Sequence, residues 1–216
     1  YYRNNLDSTL TLLEVMNEYG VKKIVFSSSA TVYGDPEELP IKENARLKTT
    51  NPYGTTKLYI EGILKDVYIA NNDYSIAILR YFNPVGAHES GLLGEDPNGI
   101  PNNLMPYIVK VAEGELPHLN IFGDDYETRD GTGVRDYIHV VDLALGHIKA
   151  IEYIDKHTGI DYYNLGTGVG YSVLEMVNAF SEVNKVDVPY EIAPRREGDI
   201  AECYADTSYA KEKLDW

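Results

Sequence analysis

A phenol and an ammonium one helical turn apart are the groups in this chain best suited to moving a proton. They belong to the stretch Asn51-Pro52-Tyr53-Gly54-Thr55-Thr56-Lys57. Residues four apart on a helix share a face, so Tyr53 and Lys57 point the same way. The helix start is well specified: Asn51 can cap it with its side-chain oxygen, and Pro52 at the first helical position gives up an N–H that would have lacked a partner anyway. Ile60, Ile63, Leu64 and Val67 continue at i, i+3, i+4 and i+7, which gives one core-facing stripe with Tyr53 and Lys57 at its mouth. A phenol titrates near 10, so it acts as a base at neutral pH only where a cation favours the phenolate. The spacing alone is a weak signal, because the chain has 19 tyrosines and repeats the pattern at Tyr19/Lys23 and Tyr209/Lys213. Gly20 interrupts the first of these, and no strand leads into the second.

The elements around the pair predict an α/β fold. Leu6, Leu10 and Leu13 sit at helical spacing between Asn5 and Tyr19, and Gly20 ends that helix. Lys23-Ile24-Val25-Phe26 is a short apolar run of the kind covered on both faces in a parallel sheet, and it empties into Ser27-Ser28-Ser29-Ala30-Thr31. Ligands bind at the carboxyl ends of such strands, so the serine cluster is a site candidate. The Tyr53 helix runs to about Asn71, and Ser75 to Phe82 forms a second buried strand ending in Asn83-Pro84-Val85-Gly86. Helix, strand, helix, strand is a doubly wound pattern. From His88 to Arg135 the texture turns to Gly, Pro, Asn and Asp, the mark of a smaller domain or lid, with a helix near Asn103 to Gly114 and a strand at Leu119 to Phe122. Tyr137 to Val140 leads into a helix from Val141 to about Asp155. A strand at Tyr162 to Leu165, a helix from Val173 to Val183 and a strand at Val188 to Ile192 complete the pattern.

Composition bounds the function. A net charge of -15 repels polyphosphate backbones and anionic lipid, which argues against nucleic-acid and membrane-surface roles and requires a local basic pocket for any anionic ligand. The single cysteine, Cys203, excludes an internal disulfide and suits a reducing compartment. With no run of eighteen apolar residues and no signal peptide, a cytoplasmic location is expected. The first residue is not Met, which suggests a fragment.

Two motifs are discounted. Gly166-x-Gly168, with Asp187 about twenty residues on, imitates a dinucleotide fingerprint, but the third glycine would fall at Tyr171. His88, His118, His139, His147 and His157 show no metal-ligand spacing with carboxylates or Cys203, so no metal site is expected.

With Ser29 ahead of Tyr53-x-x-x-Lys57, the chain resembles the extended short-chain dehydrogenase/reductase superfamily and, within it, the UDP-glucose 4-epimerase family. Five blocks carry the likeness in order: residues 27 to 34, 80 to 88, 99 to 107, 133 to 140 and 193 to 199. The nucleotide-sugar 4,6-dehydratases usually have Thr-Asp-Glu where this chain has Ser29-Ala30-Thr31, which argues against elimination chemistry. The resemblance implies a Rossmann-like parallel sheet with a smaller α/β substrate domain, tightly held NAD, and a UDP-sugar oxidised at C4 and reduced again on its other face. It makes Tyr53 the base, Lys57 its cationic neighbour and ribose ligand, and Ser29 a partner of the 4-oxygen. Asn4 and Phe82 match further NAD-contacting positions. Asn83, Asn103, Leu104, Phe122, Arg135, Tyr137, Arg196 and Asp199 match substrate positions, with the two arginines neutralising the diphosphate. Cys203 matches a position beside the sugar 2-substituent, where a small residue leaves room for an N-acetyl group.

The same resemblance places residues 1–85 in the NAD-binding domain and 86–216 mainly in the substrate domain, with segments near 137–166 returning to the first. It implies a homodimer. It also implies that a glycine-rich loop, strand and helix precede Tyr1, so that residues 1–216 alone are inactive. Another sugar-nucleotide enzyme of this fold, or a non-catalytic sugar-nucleotide binder, are the alternatives.

Overall fold

The computed structural model describes all 216 residues. In chain order, a π turn over Arg3–Asp7 leads into α1 (Ser8–Glu18), β1 (Lys23–Ser29), a 3-10 turn (Ala30–Val32), α2 (Pro52–Ala70), β2 (Ser75–Tyr81), β3 (Asn83–Val85), α3 (Leu104–Ala112), β4 (Leu119–Phe122) and β5 (Val134–His139). The remaining elements are α4 (Val140–Ile154), β6 (Gly159–Leu165), β7 (Gly170–Ser172), α5 (Val173–Asn184), β8 (Tyr190–Ala193), β9 (Glu202–Cys203) and α6 (Ser208–Leu214).

The first sheet is parallel, in the order β1-β2-β6. Its central strand explains the layering. Ile76 and Ile78 of β2 pack with Leu13 and Met16 of α1 and Ile60 and Leu64 of α2. Ala77 and Leu79, on the alternate positions, pack with Leu143, Ala150 and Ile154 of α4. The period of two sends successive residues to opposite faces, and a helix layer covers each. All of β2 from Ser75 to Arg80 is buried, whereas Ile24, Val25 and Phe26 of β1 are only half-buried, because β1 is an edge strand. The expectation of complete cover holds for β2.

The α1 stripe also differs from expectation. Leu13 and Met16 are buried and Leu6 packs against their cluster, but Leu10 is exposed. Leu6, Leu13 and Met16 stand at i, i+7 and i+10, so the buried stripe passes over half-buried Thr9 and leaves Leu10 beside it.

A second group of strands carries β3 parallel to β5, with β7 antiparallel and β9 parallel to β5. A third pairs β4 with β8, over a core of Ile108, Val111, Val177 and Val188 from the α3 and α5 side. The sequence predicts only a strand ending where β3 stands. The chain leaves the first sheet at Phe82, whose N–H donates to the Leu165 carbonyl, and re-pairs at once with β5. β7, β9 and α6 lack a sequence signal because two- and three-residue strands have no measurable period, and α6 spans two turns.

Candidate functional site

The first turn of α2 forms as its composition dictates. Asn51 Oδ1 accepts from Gly54 N–H at 2.8 Å, and Pro52 stands at N1. Gly54 itself is buried against the turn that comes after β1: a Cβ there would come 2.8 Å from the Thr31 carbonyl oxygen. The missing side chain lets the start of α2 approach the carboxyl end of β1, which brings Tyr53 beside Ser29. Ser29 is buried, and its hydroxyl accepts from the Thr31 N–H at 3.2 Å and the Thr31 hydroxyl at 3.0 Å. One turn further along α2, Lys57 Nζ donates to the Ser27 carbonyl at 2.8 Å and lies 5.7 Å from the Tyr53 ring centroid and 5.1 Å from that of Phe26. Ser29, Tyr53 and Lys57 therefore meet at one corner, where β1 ends and α2 begins.

The electrostatics of that corner depart from expectation in one respect. Burial pushes the Tyr53 phenol above its usual value, Tyr81 adds to the rise, and the Ser29 side chain pulls back. Lys57 does not contribute, because its ammonium is turned to the Ser27 carbonyl, and burial lowers its own pKa. The phenol is thus in its neutral form at neutral pH, and its activation needs a further positive charge beside it.

A cavity of about 470 Å³ opens beyond the carboxyl end of β2. Ser29 and Tyr81 are register partners, and Asn83, two residues past Tyr81, lines the cavity wall. Asn103, Leu104, Phe122, Arg135, Tyr137, Arg196 and Asp199 line it too. Residues from separate strands, a helix start and a loop thus share one wall. Arg196 stacks on Phe122, its guanidinium carbon 4.4 Å from the ring centroid, and its Nε donates to Asp199 at 3.1 Å. Phe122 is half-buried, so it is not an ordinary core aromatic. Arg135 donates to its neighbour's carbonyl, Val134, at 2.8 Å. Asn103 precedes α3 without capping it and donates to Glu95 at 2.8 Å, so the free N–H groups of the α3 start, from Leu104 on, belong to the cavity wall. Such N–H groups suit an anion.

Three further expected residues do not line this cavity, and neither do Ser29, Tyr53 and Lys57, which stand at the corner beside it. Phe82 and Cys203 are buried together with Ala30, Val32, Tyr33, Ile41 and Ala205, beneath the turn after Ser29, and neither lines the cavity. Burial pushes the Cys203 thiol up to about 11. Asn4 is exposed on the π turn, which Asn5 ties to α2 through Thr56 at 2.8 Å. The Gly166–Gly168 loop is filled by the protein's own carboxylate: Asp136, fully buried, accepts from Thr167 N–H and hydroxyl at 2.7 Å, Gly168 N–H at 3.0 Å and Ala205 N–H at 3.1 Å. A Cβ on Gly166 would stand 2.5 Å from that carboxylate. No phosphate can use these donors. No three His, Cys, Asp or Glu side chains are grouped to hold a metal, and no helix is long and apolar enough to cross a membrane.

The sequence reading missed the polar cluster behind the corner. Glu61 and Arg80 form a bidentate pair, and Ser28, Tyr33, Glu43 and Asn164 join it. Two signals were there to find. Glu61 continues the Tyr53, Lys57 spacing by another four residues, and Arg80 is the one charge in an otherwise apolar buried strand. Tyr126, with a buried hydroxyl that has no partner, also lines the cavity and left no such trace.

A hydroxyl, a phenol and an ammonium thus meet at the rim of a parallel, Rossmann-like sheet, next to a cavity that holds Arg135 and the stacked Arg196. The chain belongs to the family described as GDP-mannose 4,6 dehydratase, whose model it matches over residues 1–216. It is 64% identical over 216 residues to the UDP-glucose 4-epimerase of Bacillus subtilis (strain 168), covering 64% of that protein, and 56% identical to the Homo sapiens UDP-glucose 4-epimerase, covering 62%. Its structure is similar to that of UDP-glucose 4-epimerase from Bifidobacterium longum in complex with NAD+ and UDP, with a TM-score of 0.97 at 63% identity. That match covers the whole of this chain and 64% of the other. The chain thus spans somewhat less than two thirds of the length of these relatives.

Proposed function

We propose that the protein is a UDP-glucose 4-epimerase, interconverting UDP-galactose and UDP-glucose with NAD as its resident cofactor. The observation that carries this reading is the meeting of Ser29, Tyr53 and Lys57 at the end of β1, beside a cavity whose wall holds Arg135, Arg196 and Phe122. Epimerase names among relatives at 56–64% identity support it.

The donors at the corner fit the nicotinamide-ribose end of the cofactor. Lys57 uses one of its three N–H donors on Ser27, which leaves two for ribose hydroxyls. Phe82 contributes no ring contact there, being packed in the core. NAD, when bound, would take the C4 hydride and give it back to the other face of the sugar, and would supply the positive charge that the neutral Tyr53 phenol needs to ionise. Tyr53, as phenolate, takes the proton of the sugar 4-hydroxyl, and Ser29 hydrogen-bonds the same oxygen. Tyr53 returns the proton when the sugar has turned over. Arg135 and Arg196 neutralise the diphosphate, a local exception in a chain of net charge -15. Phe122 offers its face to the uracil ring, and Asp199 accepts from the ribose.

Ala30 and Thr31 stand where a dehydratase needs carboxylates, and Ala30 is buried, which disfavours elimination despite the family's description. Cys203 is outside the cavity wall, so nothing in that wall favours N-acetylated sugars over hexoses. The exposed apolar faces of α1 and α2, with Leu12, Val15 and Tyr59, suit a homodimer of the full-length form. Product analysis tests the proposal: the full-length protein with UDP-galactose gives UDP-glucose, and release of carbon dioxide or of a dehydrated sugar, or no product, overturns it.

A further inference from the structure

The carboxylate of Glu61 is a node where three elements meet. It is buried with Arg80, each side chain 3% exposed. Arg80 Nη2 donates to Oε2 at 2.6 Å and Nε to Oε1 at 3.0 Å, the forked geometry that fixes both partners. The Ser28 hydroxyl adds a third bond to Oε1 at 2.6 Å. Ser28 and Arg80 are direct register neighbours on β1 and β2, so the two strands present their donors side by side to one residue of α2. Arg80 is itself fixed from behind by the Tyr33 hydroxyl at 3.0 Å and the Glu43 carbonyl at 2.9 Å, and Tyr33 donates to Asn164 of β6 at 2.7 Å.

The placement of this node is what gives it a role. Glu61 lies one turn beyond Lys57 and two beyond Tyr53, on the same stripe of α2. Ser28 and Arg80 lie one residue before the register pair Ser29 and Tyr81. An ion pair removed from water gains little or no net stability over apolar side chains of the same shape, and its best-attested benefit is to select one arrangement of the elements it joins. Here the ion pair joins the helix that carries the phenol to β2, and the Ser28 hydroxyl joins the same carboxylate to β1, the strand that carries the serine.

We infer that Glu61 and Arg80 are positioning residues for the reaction, setting the register of α2 against β1 so that Tyr53 and Ser29 address the same sugar oxygen. The inference rests on the epimerase reading for its chemistry. A misplacement of about 1 Å at a reacting group costs up to about 10²-fold in rate, while the cavity that holds the nucleotide is walled by other elements and should keep its affinity.

The test uses the full-length enzyme with UDP-galactose. Glu61→Gln should lower kcat by about tenfold or more and leave KM and UDP affinity within about twofold. Leu64→Ala, on the same helix but in the apolar cluster away from the node, is the control for stability: assayed well below its Tm, it should keep its kcat. If Glu61→Gln keeps kcat, or if it loses no more kcat than Leu64→Ala at matched Tm, the inference is overturned. Should Glu61→Gln fail to fold, Ser28→Ala decides by the same criteria, since it removes one bond and leaves the ion pair. A crystal structure of the folded variant answers without turnover: α2 displaced relative to Ser29 supports the inference, and an unmoved helix overturns it. An inactive wild-type enzyme would instead overturn the epimerase reading, and the crystallographic result would still decide this one.

Discussion

The corner of β1 and α2 and the wall of the cavity are built on opposite plans. At the corner the supporting groups are out of water: Ser28, Glu61 and Arg80 are each at most 2% exposed, and every polar atom of the cluster is matched. At the cavity wall the charged groups stand half in solvent. The Arg196 side chain is 55% exposed and rests on an aromatic face, and Arg195, outside the wall, stacks on the wall residue Tyr126 at 4.0 Å. The difference teaches where precision is needed. A proton must pass between particular atoms, so its carriers are held by a desolvated network. On the proposed reading the bound anion is a diphosphate, for which charge of the right sign over a broad area serves, and a cation stacked on a ring provides it while keeping its hydration.

The sharpest way to break the comparison is at its chemical centre. Tyr53→Phe in the full-length protein should lower kcat by about 10²- to 10⁴-fold with UDP binding intact; a variant that keeps its turnover would remove the phenol from the reaction. Next in size is the network. Arg80→Leu leaves Glu61 as an uncompensated buried charge and should cost about 3–5 kcal/mol in urea unfolding, against no comparable loss for any cation of the cavity wall.

Alkaline pH acts on both regions alike. Burial, partly offset by Arg80, pushes Tyr33 up to about 12, and burial likewise pushes Tyr137 up to about 12 against the pull of Arg135. The unfolded chain releases these protons near 10, the folded chain keeps them, and between about 10 and 12 the native state therefore binds more protons. Stability should fall as pH rises through that window, by roughly 2–3 kcal/mol per residue once both pKa values are passed. Denaturant unfolding at pH 8 and pH 11 reads the first half of that loss, about 1.4 kcal/mol per residue, and Tyr33→Phe should remove its share. Smallest on stability is Arg196→Ala. Its pair with Asp199 is exposed, so the change should stay within about 0.5 kcal/mol. UDP affinity should nonetheless drop by about tenfold, the equivalent of about 1.4 kcal/mol, and isothermal titration reads both the loss and its salt dependence.

Much of the site was legible because its signals are local. Asn51, Pro52 and Gly54 specify a helix start, Ser27 to Ser29 extend an apolar run, and the wall residues fall in ordered blocks of a recognisable family. The network was not legible as a network. Glu61, Arg80, Tyr33 and Asn164 are separated by as many as 131 positions, and no spacing rule connects groups so far apart. Cys203 shows the opposite limit: its position four residues beyond Asp199 suggests a pocket residue by family resemblance, while the packing of Phe82 and Ala205 around it encloses the thiol.

Apart from α6, the amino-acid order alone determined the helices and strands of more than two or three residues, the caps that start the catalytic-corner helix, and the residue types able to transfer a proton or hold an anion. These come from periodicity and from side-chain chemistry, which act over a few positions. Tertiary structure decided that Lys57 faces the Ser27 carbonyl and not the phenol, that Asp136 fills the glycine loop, and that Glu61 meets Arg80 and Ser28 at one point. Each of these depends on which elements become neighbours, and parallel pairing makes neighbours of strands some fifty to eighty residues apart.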